Sequence, residues 1–178
     1  MAKRFECDEA GNATLETTVS DSGLFRIRRK FDKNRVLFEE YDNGLQYAFT
    51  YLADTWLLTS KTTLESGTQL RKTLYSYDEA YNLVQTNEEG KTRTFYTLYQ
   101  TAPHLHRIEW EEKGDWEGEL IYKIRYGYDQ WGNTNQEDHF GSDNNLAYTI
   151  HRTYNNKREL LNETNPLDAK ALYEYDPR

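Results

Sequence analysis

One eight-residue pattern, Y-x-Y-D-x-x-G-N, returns along this chain and limits its folding more than any other feature. It is complete at Tyr126-Gly127-Tyr128-Asp129-Gln130-Trp131-Gly132-Asn133. It returns at Tyr75-Ser76-Tyr77-Asp78-Glu79-Ala80-Tyr81-Asn82, with Tyr81 in the glycine position. A weaker copy runs from Phe5 through Cys7, Asp8 and Gly11 to Asn12, and another begins at Tyr173-Glu174-Tyr175-Asp176 and stops with the chain at Arg178. Ending inside a repeat points to a piece of something longer. One repeat cannot bury its apolar face without neighbours, so the repeat governs the fold.

The motif has a plain physical reading. Alternation puts both tyrosines on one face of a strand. The aspartate accepts backbone N–H bonds from residues just beyond it, starting a reversal. Gly132 supplies a position with φ > 0, and Asn tolerates the same region. The unit reads as strand, tight turn, returning strand. Tyr81 at the glycine position implies either a different turn or local strain. Each motif aspartate is a turn cap before it is a catalyst.

These residues resemble the YD repeat of the RHS family, which includes bacterial polymorphic toxins, shell-forming components of insecticidal Tc toxins, and teneurins. The similarity extends past the motif. Asp78 and Gly90 are separated as are Asp129 and Gly141, and Tyr96-Thr97-Leu98 and Tyr148-Thr149-Ile150 follow. It covers most of residues 70–178 and residues 1–69 more faintly. The resemblance implies an all-β fold: an extended antiparallel hairpin strip, part of a spiralling β-shell in longer members, with residues 1–178 as a single repeat region. It implies enclosure or presentation of a C-terminal toxin or adhesive domain, no enzymatic activity, and export or surface display as part of a larger bacterial protein. The implied partners are neighbouring repeats or the toxin domain. Some members carry an aspartyl self-cleavage site; Asp176-Pro177-Arg178 lies in the YD register, and that activity is not carried over.

Composition agrees with a sheet lacking a dry core. The 178 residues include 15 Tyr, 7 Phe and 4 Trp, yet mean hydropathy is −1.00. Disordered chains lack aromatics and strand formers, whereas amphipathic Tyr and Thr pack on half-wet sheet faces. Net charge is −8, which disfavours a nucleic-acid binder. The basic run Arg26-Ile27-Arg28-Arg29-Lys30 reads as the solvated face of a strand, and the acidic stretch Glu109 to Glu119 has the same reading. The two could pair with each other within or between molecules. Cys7 is the sole cysteine, which excludes an internal disulfide, and its motif position favours packing over reactivity. No signal-peptide core and no transmembrane run is present.

Period-two patterning runs almost throughout. Leu120, Tyr122, Ile124, Tyr126 and Tyr128 oppose Ile121, Lys123, Arg125 and Gly127. Leu146 to Tyr154 and Leu45 to Tyr51 repeat the arrangement. Turn signals fall at Asp42-Asn43-Gly44, Ser66-Gly67, Glu89-Gly90, Lys113-Gly114-Asp115, Gly141-Ser142-Asp143-Asn144 and Asn165-Pro166. Asn43-Gly44 is the strongest of these and predicts a type I′ turn. About twelve to fourteen strands follow, with an irregular segment at 100–105 around Pro103 and a final strand near 171–175.

Few constellations suggest chemistry. His104 and His106 on a strand would share a face and could reach one metal, but further ligands have no source at motif spacing; His139 and His151 read as surface or packing groups. Asp129, Asn133, Asn135, Glu137 and Asp143 are oxygen-rich, without the pattern of an EF-hand. Phosphate loops, nucleophile elbows and zinc motifs are missing, so no catalytic residue, cofactor or metal is assigned. Tyr75, Tyr77, Asp78, Asn82, Tyr126, Tyr128, Asp129, Gly132 and Asn133 are read as architectural. The alternative is a carbohydrate- or cell-binding surface in which Trp56, Trp110, Trp116 and Trp131 stack on sugars. Open strand edges also predict an edge-to-edge homodimer.

Overall fold

In a computed structural model, residues 2–21, 23–164, 167 and 169–175 are described. They form fifteen strands and no helix. The chain divides into two compact units, 1–76 and 77–178.

The first unit contains β1 (Ala2–Cys7), β2 (Ala13–Ser20), β3 (Gly23–Asp32), β4 (Arg35–Tyr41), β5 (Leu45–Tyr51), β6 (Leu58–Glu65) and most of β7 (Thr68–Tyr77). The second contains β8 (Leu83–Glu88), β9 (Thr92–Leu98), β10 (Ile108–Asp115), β11 (Leu120–Tyr128), β12 (Thr134–Phe140), β13 (Leu146–Tyr154), β14 (Leu160–Thr164) and β15 (Lys170–Leu172). Within each unit every strand pairs antiparallel with its sequence neighbours. The expected all-β hairpin meander is present. Its fifteen strands slightly exceed the twelve to fourteen expected, and the expected final strand near 171–175 is the shorter Lys170–Leu172.

The faces are half-buried. Leu98 is the one buried hydrophobic side chain among the described residues, and none is fully buried. Tyrosine, threonine and paired charge therefore fill the space that aliphatic residues fill in a globule.

Several turns depart from their sequence signals. At Asn43-Gly44 only Gly44 has positive φ (82°), and its N–H donates to Tyr41 O at 2.9 Å. This is the three-residue hairpin loop ending in a left-handed glycine, not a type I′ turn; Asn43 instead uses its side chain to accept from the Leu45 N–H. Positive φ at two central residues occurs at Ser66 (50°) and Gly67 (84°), between the paired Glu65 and Thr68. Gly114 lies inside β10, and the reversal begins at Asp115. Gly90 has φ 70° in a tighter turn, whereas Gly141 opens its turn without a positive φ, so these two glycines are not equivalent. The irregular segment around Pro103 extends over residues 99–107. Asn165-Pro166 and Asp176-Pro177-Arg178 lie outside the described residues.

The basic run lies on β3 with Arg26, Arg28 and Lys30 exposed, while the thiol departs from expectation. Arg28, Arg29 and Lys30 find Glu40 and Asp42, Glu16 and Glu39, and the Phe38 ring respectively, all within their own unit. In the acidic stretch, Glu112 pairs with Lys123 and Asp115 caps its own turn. Each of these groups finds its partner locally. Cys7 is exposed, because β1 is exposed along its whole length, and it takes no packing role.

Candidate functional site

The densest side-chain organisation is at the turns. At Asp129 the backbone N–H donates to Asn133 O, and the Gly132 N–H returns to Asp129 O, both at 3.0 Å. Gly132 has φ 84°. Asp129 Oδ1 accepts the N–H groups of Trp131 and Asn133 at 2.9 Å, and Oδ2 accepts Asn133 Nδ2 at 2.8 Å. Asp8 with Asn12, and Asp78 with Asn82, repeat the whole set. Tyr81 makes the same turn at φ 65°. Of the two expectations for that position, strain in an unchanged turn is what the geometry contains.

Three more turns share this backbone, and the sequence did not single them out as motif copies. They span 115–119, 141–145 and 155–159, with Gly118, Asn144 and Arg158 in the positive-φ place. Asp115 and Asn155 cap as the motif aspartates do. In the third, Gly141 opens the turn and Asp143 accepts from Asn145.

A register shift follows the turns. Thr14, Ile121, Asn135, Ala147 and Leu161 are the extra residues, each six positions after the opening residue of its turn. Such a bulge re-aims the side chains around it. At Tyr128 and Tyr154, just before their turns, the hydroxyls reach back to the first residues of the preceding strand. Tyr128 donates to Ile108 O at 2.9 Å and Tyr154 to Thr134 O at 2.8 Å. Tyr51 to Val36 O and Tyr175 to Leu160 O, both 2.9 Å, follow the same plan. The motif tyrosine thus ties a strand end to its neighbour's start. Cys7 holds this place in the first copy and cannot make that bond.

An arginine completes the arrangement once in each unit. Arg35 lies over the Tyr51 ring at 5.4 Å and donates to Thr55 O at 2.7 Å. Arg107 lies over the Tyr128 ring at 5.2 Å and donates to Gly132 O at 2.7 Å. The Arg107 guanidinium fills the space a Cβ on Gly132 would need. His104 packs between Tyr99 and Tyr128, and His106 contacts Asn82 through Nδ1 at 3.2 Å. Both histidines are in the 99–107 loop rather than on a strand, engaged with different neighbours.

Carboxylates on the sheet faces are paired. Glu111 accepts Tyr122 and Tyr126 hydroxyls at 2.8 and 3.1 Å. Burial, with Glu111 beside it, pushes the Tyr122 phenol up to about 12 and also raises Tyr126. Glu137 holds Arg152 at 2.5 Å and His139 at 3.1 Å; burial opposes its charge, but these hydrogen bonds keep it below the usual carboxylate range. No three His, Cys, Asp or Glu side chains among the described residues cluster as metal ligands. A shallow concavity of about 580 Å³ beside the 155–159 turn brings Lys157, Glu159, Tyr173 and Tyr175 together without a nucleophile and base.

The tryptophans differ in their settings. Trp56, Trp116 and Trp131 are exposed in three separate loops. Trp110 is on β10, covered by Lys123, Arg125 and Phe140.

This hairpin series has solved counterparts. The crystal structure of TcdB2-TccC3-Cdc42 superposes with a TM-score of 0.72 at 13% identity, covering 90% of this chain. The chain shares its fold with Tc-toxin structures. TcdB2-TccC3-TEV and a Photorhabdus luminescens Tc holotoxin pore carrying a TccC3 mutation each give 0.71 at 14% identity over 90% of the chain. The chain spans 9% of the matched chain in each case. No protein-family model and no curated protein sequence matches it. Among the described residues no helix is long and apolar enough to cross a membrane.

Proposed function

We propose that residues 1–178 form one non-enzymatic repeat region in the wall of an RHS/YD-repeat shell, which encloses or presents a C-terminal toxin or adhesive domain of an exported polypeptide. The carrying observation is the single turn geometry built six times, four of them on the consecutive antiparallel hairpins from β10 to β14. In this reading Tyr75, Tyr77, Asp78, Asn82, Tyr126, Tyr128, Asp129, Gly132 and Asn133 serve architecture. Adjoining repeats, the enclosed domain or a second copy at a sheet edge are the partners. Likeness to Tc-toxin structures supports the wall role, and the half-buried faces suit a sheet with polar surroundings on both sides.

The test is limited proteolysis of a full-length polypeptide carrying this segment. The C-terminal domain should resist protease in the intact protein and become sensitive when Asp129→Ala and Gly132→Val are combined. Equal digestion in the intact and altered proteins would overturn the reading.

A second reading, glycan or cell binding, is favoured by the exposure of Trp56 (67%), Trp116 (59%) and Trp131 (48%). Glycan-array binding lost on Trp→Ala at these positions, with unchanged circular dichroism, would establish it.

A further inference from the structure

Inside the first unit, β5, β6 and β7 place a cation at the centre of a cross-strand grid. Lys61 is paired with Phe49 on β5 and with Thr73 on β7. One step along the same face, Thr63 is paired with Tyr47 and Arg71. Alternation keeps these side chains, with Tyr75, on one face of the sheet. There they surround a concavity of about 420 Å³, lined by Tyr47, Lys61, Thr63, Arg71, Thr73 and Tyr75. Lys61 Nζ lies 4.7 Å from the Tyr47 ring centroid and 5.9 Å from that of Phe49. Among the described residues it has no carboxylate partner and makes no hydrogen bond. The ring faces attract its charge, but they offer no lone pairs to its three N–H donors. Arg29 and Arg35, half-buried in the same unit, meet Glu16 with Glu39 and Asp32 respectively. At Lys61 the concavity takes the place of such a carboxylate.

We propose that this concavity binds an anionic saccharide, a pyranose ring carrying a carboxylate or sulfate, with Lys61 as its counter-ion. The oxyanion supplies the lone pairs that the ammonium lacks, in a charge-assisted hydrogen bond. The Thr63 and Thr73 hydroxyls each donate and accept, which suits the ring hydroxyls of a sugar. Tyr47 and Tyr75, on the two flanking strands, add apolar bodies for its C–H groups and polar tips for its oxygens. The volume lies in the range of small-ligand sites, more than one acidic side chain of a protein partner fills. A net charge of −8 disfavours general attraction of anions, so binding depends on this local cation. The site contains none of the tryptophans on which the glycan-binding reading rests.

Calorimetric titration of the chain tests the site with four probes: a hexuronate trisaccharide, a sulfated hexose trisaccharide, the neutral hexose trisaccharide and sodium sulfate. One or both anionic trisaccharides should bind, at least about tenfold more tightly than the neutral sugar or the sulfate ion alone. Lys61→Met keeps an unbranched stem against Tyr47 and Phe49, and should lose at least about tenfold in affinity with circular dichroism unchanged. Thr63→Val leaves the charge in place and should weaken binding by roughly three- to tenfold. Combined Trp56→Ala, Trp116→Ala and Trp131→Ala should leave binding as it was. Absence of binding by both anionic trisaccharides, equal affinity for the neutral sugar or for sulfate ion, full binding by Lys61→Met, or loss of binding in the tryptophan variant would each overturn the proposal.

Discussion

At the scale of single residues, the positive-φ place in the repeated turn offers a matched comparison. Gly132 holds it without strain, and Arg107 occupies the space beside it. Gly132→Val should lose about 1–3 kcal/mol through backbone strain, and also displaces the Arg107 contact. Tyr81 holds the same place at φ 65° and is 59% exposed. Tyr81→Gly should therefore raise stability by about 0.5–1 kcal/mol, the relief of left-handed strain less the added entropy of glycine. Denaturant midpoints measured at constant m-value check both signs. The sequence made this place legible where Asp, Gly and Asn coincide, as at Asp129, Gly132 and Asn133. It was hidden at 155–159, where Asn155, Arg158 and Glu159 build the same turn from residues with no such signal.

At the scale of the hairpin, turn, bulge and tyrosine act as one device. The alternation of Tyr126 and Tyr128 was readable, but the destination of the hydroxyl was not. Nor was the bulge readable, since its extra residue is Thr, Ile, Asn, Ala or Leu in different hairpins and so leaves no composition mark. Tyr51→Phe, Tyr128→Phe and Tyr154→Phe should each cost about 1 kcal/mol, because each strands one backbone carbonyl. Urea unfolding of the three variants should give similar losses; a negligible loss at all three would mean the bonds are not formed in solution. The turn carboxylates set a pH dependence. Asn side-chain and backbone N–H bonds hold Asp8, Asp78 and Asp143 below their ordinary value. At Asp129 burial opposes the charge, yet the bonds from Asn133 and its neighbours still lower it. A lowered folded-state value contributes stability above the unfolded value that is lost as pH falls through the folded one. Thermal stability should therefore fall on acidification below about pH 4. Asp129→Asn should soften that decline, since Asn155 shows that an amide oxygen can cap the same turn.

For the whole chain, strand order and the missing dry core were legible in the period-two pattern, the abundance of Tyr and the low hydropathy. The division into two units left no linker in the sequence. What the units share is the lock of Arg35, Tyr51 and Thr55 in one and Arg107, Tyr128 and Gly132 in the other. Its parts lie far apart along the chain and come together only when hairpins stand side by side. With one buried hydrophobic side chain among the described residues, neighbouring hairpins and their turns must supply much of the order, as in other repeat proteins. The central claim is that the motif residues are structural joints. Amide hydrogen exchange tests it most directly, read at Asn12, Asn82 and Asn133, whose N–H groups are bound to Asp8, Asp78 and Asp129. The account predicts that these turn amides exchange as slowly as adjacent strand amides, and that Asp129→Ala accelerates Asn133 while leaving Asn12 slow. Exchange at the rate of unstructured peptide at all three positions, in a chain whose strands remain protected, would contradict it.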